Sequence, residues 1–307
     1  MSEPLRGGVI GAGVFGGYHA RQYARLPGVV LSAVLDTHPD RAAQVAMPLG
    51  GRGFNDLAAF LEAVDVVTVA SPATFHAEHA LAALAAGKSV YIEKPIAKSV
   101  ADGERVRAAA AAKGLVVACG HQERVMFQAI GLLDVPEPPL LLEALRHGPP
   151  SDRSRDVSAV LDLMVHDIDL ALSICAADPV TAEGEGRLSE DGVWDVARAE
   201  VSFEDGFTAI FDVSRQAPER RRTMKVVYPS GQVEIDFMAR TFRNTTPFTL
   251  NADFADTPAG KDPLGASVEG FLAAVRGAAP RPVVTAEEAL RALDLALAVE
   301  QALGNRA

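Results

Sequence analysis

The stretch Gly11-Ala12-Gly13-Val14-Phe15-Gly16 lies between a short apolar run, Gly8 to Ile10, and a segment with helical spacing near residues 16–26. Asp36 follows 20 residues after Gly16, at the end of a second apolar run, Val29 to Leu35. A GxGxxG sequence that joins a strand to a helix, with an acidic residue at this distance, is typical of a dinucleotide-binding turn. The stretch therefore predicts a Rossmann-type βαβ unit at the start of the chain.

The residues of this turn have separate roles in the prediction. Gly11 permits the tight turn, Gly13 lets a pyrophosphate approach the backbone, and Gly16 lets helix and strand pack closely. Val14 and Phe15 belong to the first turn of the helix, whose free N–H groups and partial positive charge attract phosphate. The alternative interpretation is a glycine-rich turn that binds no ligand.

The end of the second strand predicts which dinucleotide binds. The Asp36 carboxylate would accept hydrogen bonds from the adenosine ribose hydroxyls and would repel a 2′-phosphate, so the sequence favours NAD over NADP. Thr37 is the next residue, and Arg41 is near enough in sequence to keep NADP as a less favoured alternative. The predicted ribose-side residues are Asp36, Thr37 and Arg41.

The first 120 residues alternate between β-rich apolar runs and Ala/Leu-rich helical segments. This alternation predicts a doubly wound parallel sheet with helices on both faces. Two hairpins follow later in the chain, around Glu204-Asp205-Gly206 and Pro229-Ser230-Gly231, and they indicate an antiparallel meander. We predict two domains, a Rossmann domain over residues 1–121 and an α+β domain over residues 122–307. Helices are expected over 123–133, 157–175, 263–277 and 285–303, and residues 239–262 fit no element.

Composition excludes several classes of partner. The 307 residues contain 29 basic and 40 acidic side chains, giving a net charge of −11. Such a surface repels nucleic acid and anionic membranes, so we expect no partner of either kind. The N-terminus lacks the pattern of a signal peptide, and a cytoplasmic location is expected. Cys119 and Cys175, the two cysteines, show no zinc-ligand spacing and are interpreted as buried thiols.

Glu93-Lys94-Pro95 follows the apolar run Val90-Tyr91-Ile92. In a doubly wound sheet this tripeptide would lie at the carboxyl end of a strand, the edge where such folds bind ligands. There the Lys94 ammonium could face a reacting hydroxyl or carbonyl, and Pro95 could be cis. The alternative is a Glu–Lys pair in a surface loop.

A second candidate lies in the predicted helix 157–175. Asp162 and His166 are four residues apart and would share one helix face, which Asp169 extends. A carboxylate beside an imidazole suits proton transfer, because it orients the ring and supports its charged form. Two alternatives remain, a metal site formed by these three residues and a solvated helix face. We expect no metal.

Taken together, these motifs resemble the glucose–fructose oxidoreductase / inositol dehydrogenase / rhizopine-catabolism (Gfo/Idh/MocA) family of oxidoreductases. Beyond the glycine turn, the similar segments lie in family order along nearly the whole chain: Ser71-Pro72-Ala73-Thr74-Phe75-His76, the run from Ala86 to Pro95, the run from Asp162 to Asp169, and Asp262-Pro263-Leu264. The resemblance implies a Rossmann domain, then a domain built on a large open, mostly antiparallel sheet. It also implies association of subunits through the open sheet faces, as a homodimer or homotetramer.

The resemblance further implies an NAD(P)-dependent dehydrogenase that acts on the CH–OH group of a sugar, cyclitol or nucleotide-sugar. It assigns acid–base catalysis to His166, polarisation of the reacting oxygen to Lys94, and the binding of a neighbouring hydroxyl to Asp162. It places Ser71, Pro72, His76 and Glu93 along the nicotinamide half of the cofactor.

Gly120-His121-Gln122-Glu123-Arg124 is similar to the segment in family members that oxidise UDP-N-acetyl sugars, the UDP-N-acetylglucosamine 3-dehydrogenases among them. A substrate of this kind carries a diphosphate, which Arg124, Arg153 and Arg155 could bind. The two last arginines could equally lie in a solvated loop, and Val125-Met126-Phe127-Gln128 departs from the family's usual sequence. Alternatives are an inositol or free-sugar dehydrogenase and, in another class, an NAD-binding sensor without turnover.

Overall fold

The computed structural model describes residues 3–150 and 157–304. The chain forms two compact units, residues 1–122 with 262–290 and residues 123–261 with 291–307. The first boundary lies one residue from the predicted one. The prediction that every later residue joins the second domain is wrong for Asp262–Leu290. Val268, Phe271 and Leu272 of that segment are buried in the apolar core of the first unit.

Ten α-helices occur in the described part of the chain. In chain order they are α1 Val14–Arg25, α2 Pro39–Ala46, α3 Leu57–Glu62, α4 His76–Ala85, α5 Val100–Lys113, α6 Glu123–Ile130, α7 Val165–Ile174, α8 Pro258–Lys261, α9 Pro263–Val275 and α10 Ala286–Gly304.

The first unit is built on a six-stranded parallel sheet. Its strands are β1 Leu5–Ile10, β2 Val29–Leu35, β3 Arg52–Phe54, β4 Val66–Val69, β5 Ser89–Ile92 and β6 Val117–Cys119. Their order is β3-β2-β1-β4-β5-β6, the doubly wound order. The predicted strand–helix alternation is confirmed, although β3 and α3 were not predicted.

This topology determines which edge of the first unit's sheet can bind a ligand. Parallel strands present their carboxyl ends along one edge of the sheet, and the strand order reverses between β1 and β4. Gly11, Asp36 and Glu93 each directly follow a strand on that edge. Ligands of doubly wound sheets bind there, so the predicted position of Glu93-Lys94-Pro95 at a strand end is confirmed.

The second unit is built on a seven-stranded mixed sheet. Its strands are β7 Leu141–His147, β8 Pro179–Leu188, β9 Trp194–Phe203, β10 Thr208–Ser214, β11 Arg221–Tyr228, β12 Gly231–Asp236 and β13 Thr241–Asn244. The order is β13-β12-β11-β7-β10-β9-β8, and every pair is antiparallel except β7 with β10. Both predicted hairpins are present, β9–β10 and β11–β12.

Alternation along β7 assigns the two faces of this sheet. Ala144 and Arg146 are buried, whereas Glu143 and Leu145 on the opposite face are partly exposed. The buried face meets the helical layer, since α7 contacts β10. Because a strand's side chains alternate between faces, Arg146 points to the buried face. A charged residue there is stable only if it is paired.

The predicted helix 157–175 differs from the structure in its first turns. Val160–Met164 forms a π-helical turn, and the α-helix α7 starts only at Val165. A π turn closes i→i+5 hydrogen bonds. Asp162 therefore lies in the π turn and His166 in the α-helix that follows it, and the predicted pairing of their side chains stays a prediction.

Candidate active site

The glycine turn of the first unit is shaped for a dinucleotide. Gly11 has φ of 103°, a conformation that favours glycine. A Cβ on Gly16 would stand 1.8 Å from the carbonyl oxygen of Gly11, so only glycine fits there. Around Gly13 the space is open, with no heavy atom of a described non-neighbouring residue within 4 Å of a Cβ placed there. Val14 and Phe15 are exposed beside this opening.

Asp36 is held at the end of β2 by backbone donors. Its Oδ2 accepts from the N–H of Ala12 at 2.9 Å, and its Oδ1 accepts from the N–H of His38 at 2.9 Å. Burial alone would raise the pKa of Asp36, but these N–H groups and the positive charge of Arg41 outweigh it, so the pKa is lowered. Each carboxylate oxygen keeps a lone pair for a ribose hydroxyl, and Thr37 lies alongside. The turn and Asp36 thus fit NAD.

His76 connects two of the predicted nicotinamide-side segments. Its Nε2 lies 2.9 Å from the carbonyl oxygen of Ser71, and its Nδ1 lies 2.7 Å from the carbonyl oxygen of Pro95. Burial lowers the pKa of His76, although both carbonyls oppose this. The ring therefore lies between the Ser71-Pro72 turn after β4 and the segment after β5, and it contacts both.

Glu93 is an internal group of the first unit. Only 6% of it is exposed, and its Oε1 accepts from Nε2 of the fully buried His19 at 2.7 Å and from Nε2 of Gln122 at 3.2 Å. Burial would raise the pKa of Glu93, but His19 and the neighbouring Lys94 lower it. Lys94 follows directly, and its peptide bond to Pro95 is cis.

In the second unit, Asp162 is engaged by an arginine that follows β10. Nη2 of Arg215 donates to Oδ2 of Asp162 at 2.9 Å, and Nη1 donates to the carbonyl oxygen of Val157 at 3.0 Å. Arg215 also reaches the carbonyl oxygen of Ser158, so one guanidinium holds the start of the π turn and its carboxylate together.

His166 contacts a carboxylate that the sequence analysis did not select. Nδ1 of His166 lies 2.7 Å from Oε2 of Glu123, the first residue of α6. Nη1 of Arg146 donates to the other oxygen of Glu123 at 2.9 Å. The same guanidinium holds both oxygens of Asp167, with Nε at 3.0 Å and Nη2 at 2.8 Å. His166 thus contacts a network of charged side chains, of which Arg146 and Asp167 are buried.

Of the three arginines predicted to bind a diphosphate, the structure describes only Arg124. Arg124 is 5% exposed, and its guanidinium forms a two-pronged contact with the buried Asp169 at 3.0 and 2.6 Å. This geometry indicates an internal ion pair. It also removes Asp169 from the predicted polar helix face. Arg153 and Arg155 lie outside the described residues. Arg222, the second residue of β11, has a side chain 42% exposed with Nη1 3.9 Å from Glu123.

Five residues at or near the site were therefore missed: His19, Glu123, Arg146, Arg215 and Arg222. His19 had one signal, because it lies on the apolar face of α1 with Gly16, Ala20 and Tyr23. Within residues 3–150 and 157–304, no group of three or more His, Cys, Asp or Glu residues is arranged to hold a metal ion. The helices described by the structure include none that is long and apolar enough to cross a membrane.

Comparison with known proteins connects this geometry to a family. A model described as "Oxidoreductase family, NAD-binding Rossmann fold" matches residues 5–121, and the GFO/IDH/MocA C-terminal domain model matches residues 143–234. The chain belongs to the Gfo/Idh/MocA family of oxidoreductases. It is an NAD-binding dehydrogenase with a small-molecule substrate, as the glycine turn and Asp36 indicate.

Two relatives illustrate the range of similarity. The chain is 34% identical to a UDP-N-acetylglucosamine 3-dehydrogenase of Acidithiobacillus ferrooxidans, over 91% of this chain and 90% of that protein. A solved structure of the enzyme of that name from the same organism superimposes with a TM-score of 0.91 at 32% identity, covering 99% of both chains. A scyllo-inositol 2-dehydrogenase of Bacillus subtilis is 26% identical over 71% of this chain and 69% of that protein.

Proposed function

We propose that this protein oxidises the 3-hydroxyl of a UDP-N-acetylhexosamine, with UDP-N-acetylglucosamine as the first candidate, and transfers the hydride to NAD. The observation that carries the proposal is the extent of similarity. Identity to the UDP-N-acetylglucosamine 3-dehydrogenase extends over 91% of the chain. A 43% identity to an inositol 2-dehydrogenase of Saccharopolyspora erythraea covers only 36% of it. Substrate choice requires the second unit, so similarity along the whole chain is the better guide.

In the proposed reaction each polar side chain has a defined task. NAD, when bound, accepts the hydride from the alcohol carbon. His166 takes the hydroxyl proton, because an alcohol must lose that proton as its hydride leaves. Lys94 polarises the reacting oxygen with its ammonium group. Asp162, held by Arg215, keeps lone pairs with which to accept a hydrogen bond from a neighbouring substrate hydroxyl.

The diphosphate of such a substrate needs a cation, and the structure supports Arg222 better than Arg124. The Arg124 guanidinium is buried against Asp169, whereas Arg222 is partly exposed and lies near the carboxylate that contacts His166. Arginine binds phosphate oxygens through two parallel N–H groups. We therefore assign diphosphate binding to Arg222, and Arg153 and Arg155 remain predictions.

We also propose that two copies associate through the open face of the seven-stranded sheet, as the family resemblance implies. This face carries charges of both signs, including Glu143 paired with Lys225, and it holds a cavity of about 620 Å³ lined in part by Ile210 and Phe242. A self-complementary patch of this kind suits a twofold interface. Light scattering of the Ile210→Lys variant, which places a charge in the cavity, should show dissociation.

The test of the proposed reaction is a substrate panel. Purified protein with NAD would be mixed with UDP-N-acetylglucosamine, its C4 epimer, inositols and free sugars, and NADH absorbance followed. A hydrazine that traps the ketone product removes an unfavourable equilibrium. NADH formed only with UDP-N-acetyl sugars supports the proposal. NADH formed only with inositols or free sugars assigns the enzyme to the alternative. NAD binding without turnover of any trapped substrate favours a sensor.

A further inference from the structure

We propose that Glu123 is the positioning residue for His166. Its carboxylate determines which ring nitrogen carries the proton, and it supports the charged ring that forms during turnover. The inference rests on the acid–base role of His166 in the proposed function and deepens it. The sequence spacing assigned this task to Asp162.

The distance between Glu123 and His166 fixes the protonation of one ring nitrogen. An ionised carboxylate can only accept a hydrogen bond, and Nδ1 lies 2.7 Å from its Oε2. The negative charge of Oε2 at that distance favours a proton on Nδ1 over a lone pair. In the neutral ring the lone pair is then on Nε2, and Nε2 is the atom that takes the proton of the substrate hydroxyl.

Arg146 supports the ionised form of Glu123 together with His166. Burial opposes the charged form of Glu123, but His166 and Arg146 outweigh it and hold the pKa of Glu123 well below its usual range. Arg146 itself is 3% exposed and is fixed by its fork to Asp167, so its charge stays in place throughout a catalytic cycle. When His166 gains a proton, the new cation faces a carboxylate that is already charged and anchored.

The charges around this pair come from four elements. Glu123 lies on α6, Arg146 on β7, Asp167 next to His166 on α7, and Arg222 on β11. Arg146 and Arg222 balance Glu123 and Asp167. Replacing Glu123 by a neutral residue leaves a net positive surrounding, in which a protonated His166 is disfavoured. This sets the sign of the expected change with pH.

The experiment compares Glu123→Gln with Glu204→Gln, which makes the same change of charge at an exposed residue in the turn between β9 and β10. For oxidation, kcat/KM rises with pH as the base loses its proton. In Glu123→Gln this rise should move to lower pH, because the charged ring loses its support. We expect kcat to fall on the order of 10²-fold with KM changed less than about threefold. The Glu204→Gln variant should match the wild type in both respects.

A second measurement needs no substrate. Long-range ¹H–¹⁵N correlation spectra of ¹⁵N-histidine-labelled protein, assigned with His166→Ala, should show neutral His166 protonated at Nδ1 and lose that preference in Glu123→Gln. If the panel finds no turnover but this signature is present, the proposed function fails and the positioning role stands. If turnover is found, but the Glu123→Gln pH profile and ring signature match those of Glu204→Gln, the positioning role is wrong.

Glu123→Asp covers the case in which the Gln variant does not fold. It keeps the charge but withdraws it by one methylene, so kcat should fall while the position of the rise with pH is retained. Far-UV circular dichroism and the dissociation constant of NAD would check that the chain is intact. Full activity of a folded Glu123→Asp variant would overturn the proposal.

Discussion

The two units each contain a buried glutamate within 2.7 Å of a histidine, beside a residue assigned to catalysis. In the first unit Glu93 pairs with His19 and precedes Lys94. In the second unit Glu123 pairs with His166 itself. In both cases burial opposes the charge of the carboxylate, and the neighbouring groups lower its pKa nonetheless.

The pairs differ in what surrounds them. Nδ1 of His19 is buried without a hydrogen-bond partner among the described residues, so a second proton there would lack an acceptor. Glu93 is otherwise held by the neutral amide of Gln122. Glu123 is instead anchored by the fixed charge of Arg146, and the side chain of His166 is 13% exposed. The first pair holds α1 against the end of β5, and the second is the pair for which we propose proton exchange.

The largest expected effect is on turnover when His166 is removed. In His166→Ala the hydroxyl proton has no base, so kcat should fall on the order of 10³-fold while stability changes little. Steady-state kinetics on the substrate found by the panel, with unfolding followed by the fluorescence of Trp194, the single tryptophan, would measure both. The control is His147→Ala, which removes a histidine of β7 that is paired with Asp212 of β10 in the same unit. Near-normal kcat in His166→Ala would remove the distinction between the pairs.

The same substitution in the other pair should act on stability. His19→Ala leaves the buried carboxylate of Glu93 without its 2.7 Å partner and opens a cavity, which together should cost about 3 kcal/mol. Amide exchange in β1, β4 and β5 would report the free energy of opening in the first unit. The exposed His38 provides a matched control, and His38→Ala should change that value by less than about 0.5 kcal/mol. Equal exchange in the two variants would contradict the structural role of His19.

Sequence reasoning predicted the fold and motifs of the first unit far better than it predicted the contacts around His166 in the second unit. The glycine turn, Asp36 and Glu93-Lys94-Pro95 are contiguous motifs, and parallel strand topology brings them to one edge without further information. The strand β2 was predicted residue for residue, at Val29 to Leu35. What was missed there was short or distant: the three-residue strand β3 and the packing of α9 onto the first core.

The network around His166 could not be predicted in this way. Arg146 meets Glu123 across 23 residues and Asp167 across 21, and these contacts exist only because β7 turns Arg146 toward the helices. A one-residue shift of strand register would point that side chain to the other face. The π turn at Val160–Met164, which contains Asp162 and precedes His166, has no sequence signal that we recognise.

A smaller effect is expected when Glu93 or Glu123 is replaced by Gln and the free energy of unfolding is measured as pH falls. A carboxyl whose pKa in the fold lies below the ordinary value of 4.5 stabilises the fold at higher pH, and this contribution is lost as pH falls through the lowered pKa. Glu123→Gln should therefore be less stable than wild type at pH 6 and lose less stability between pH 4.5 and 3. Each pKa unit is worth about 1.4 kcal/mol.

The measurement reads the two units separately, using Trp194 fluorescence in urea for the second and amide exchange in β5 for the first. Glu93→Gln should flatten the acid dependence in the first unit less than Glu123→Gln does in the second, since the pKa of Glu123 is lowered further. Equal flattening would mean that Arg146 adds nothing to what a histidine already provides.

The smallest expected effect concerns Arg222, a partly exposed cation near the Glu123–His166 pair. The Glu93–His19 pair has no counterpart assigned to it. Arg222→Ala removes a guanidinium near Glu123 but leaves Arg146 in place, so kcat should change less than about twofold. If Arg222 binds the diphosphate, KM for a UDP-sugar should rise on the order of tenfold, as the loss of a charge-assisted hydrogen bond predicts. Added salt should raise the wild-type KM more than that of the variant. Arg221→Ala is the matched control, because alternation along β11 points Arg221 to the other face of the sheet. Equal KM values in the two variants would leave the diphosphate to other residues, and the Glu123 network would then serve proton transfer alone.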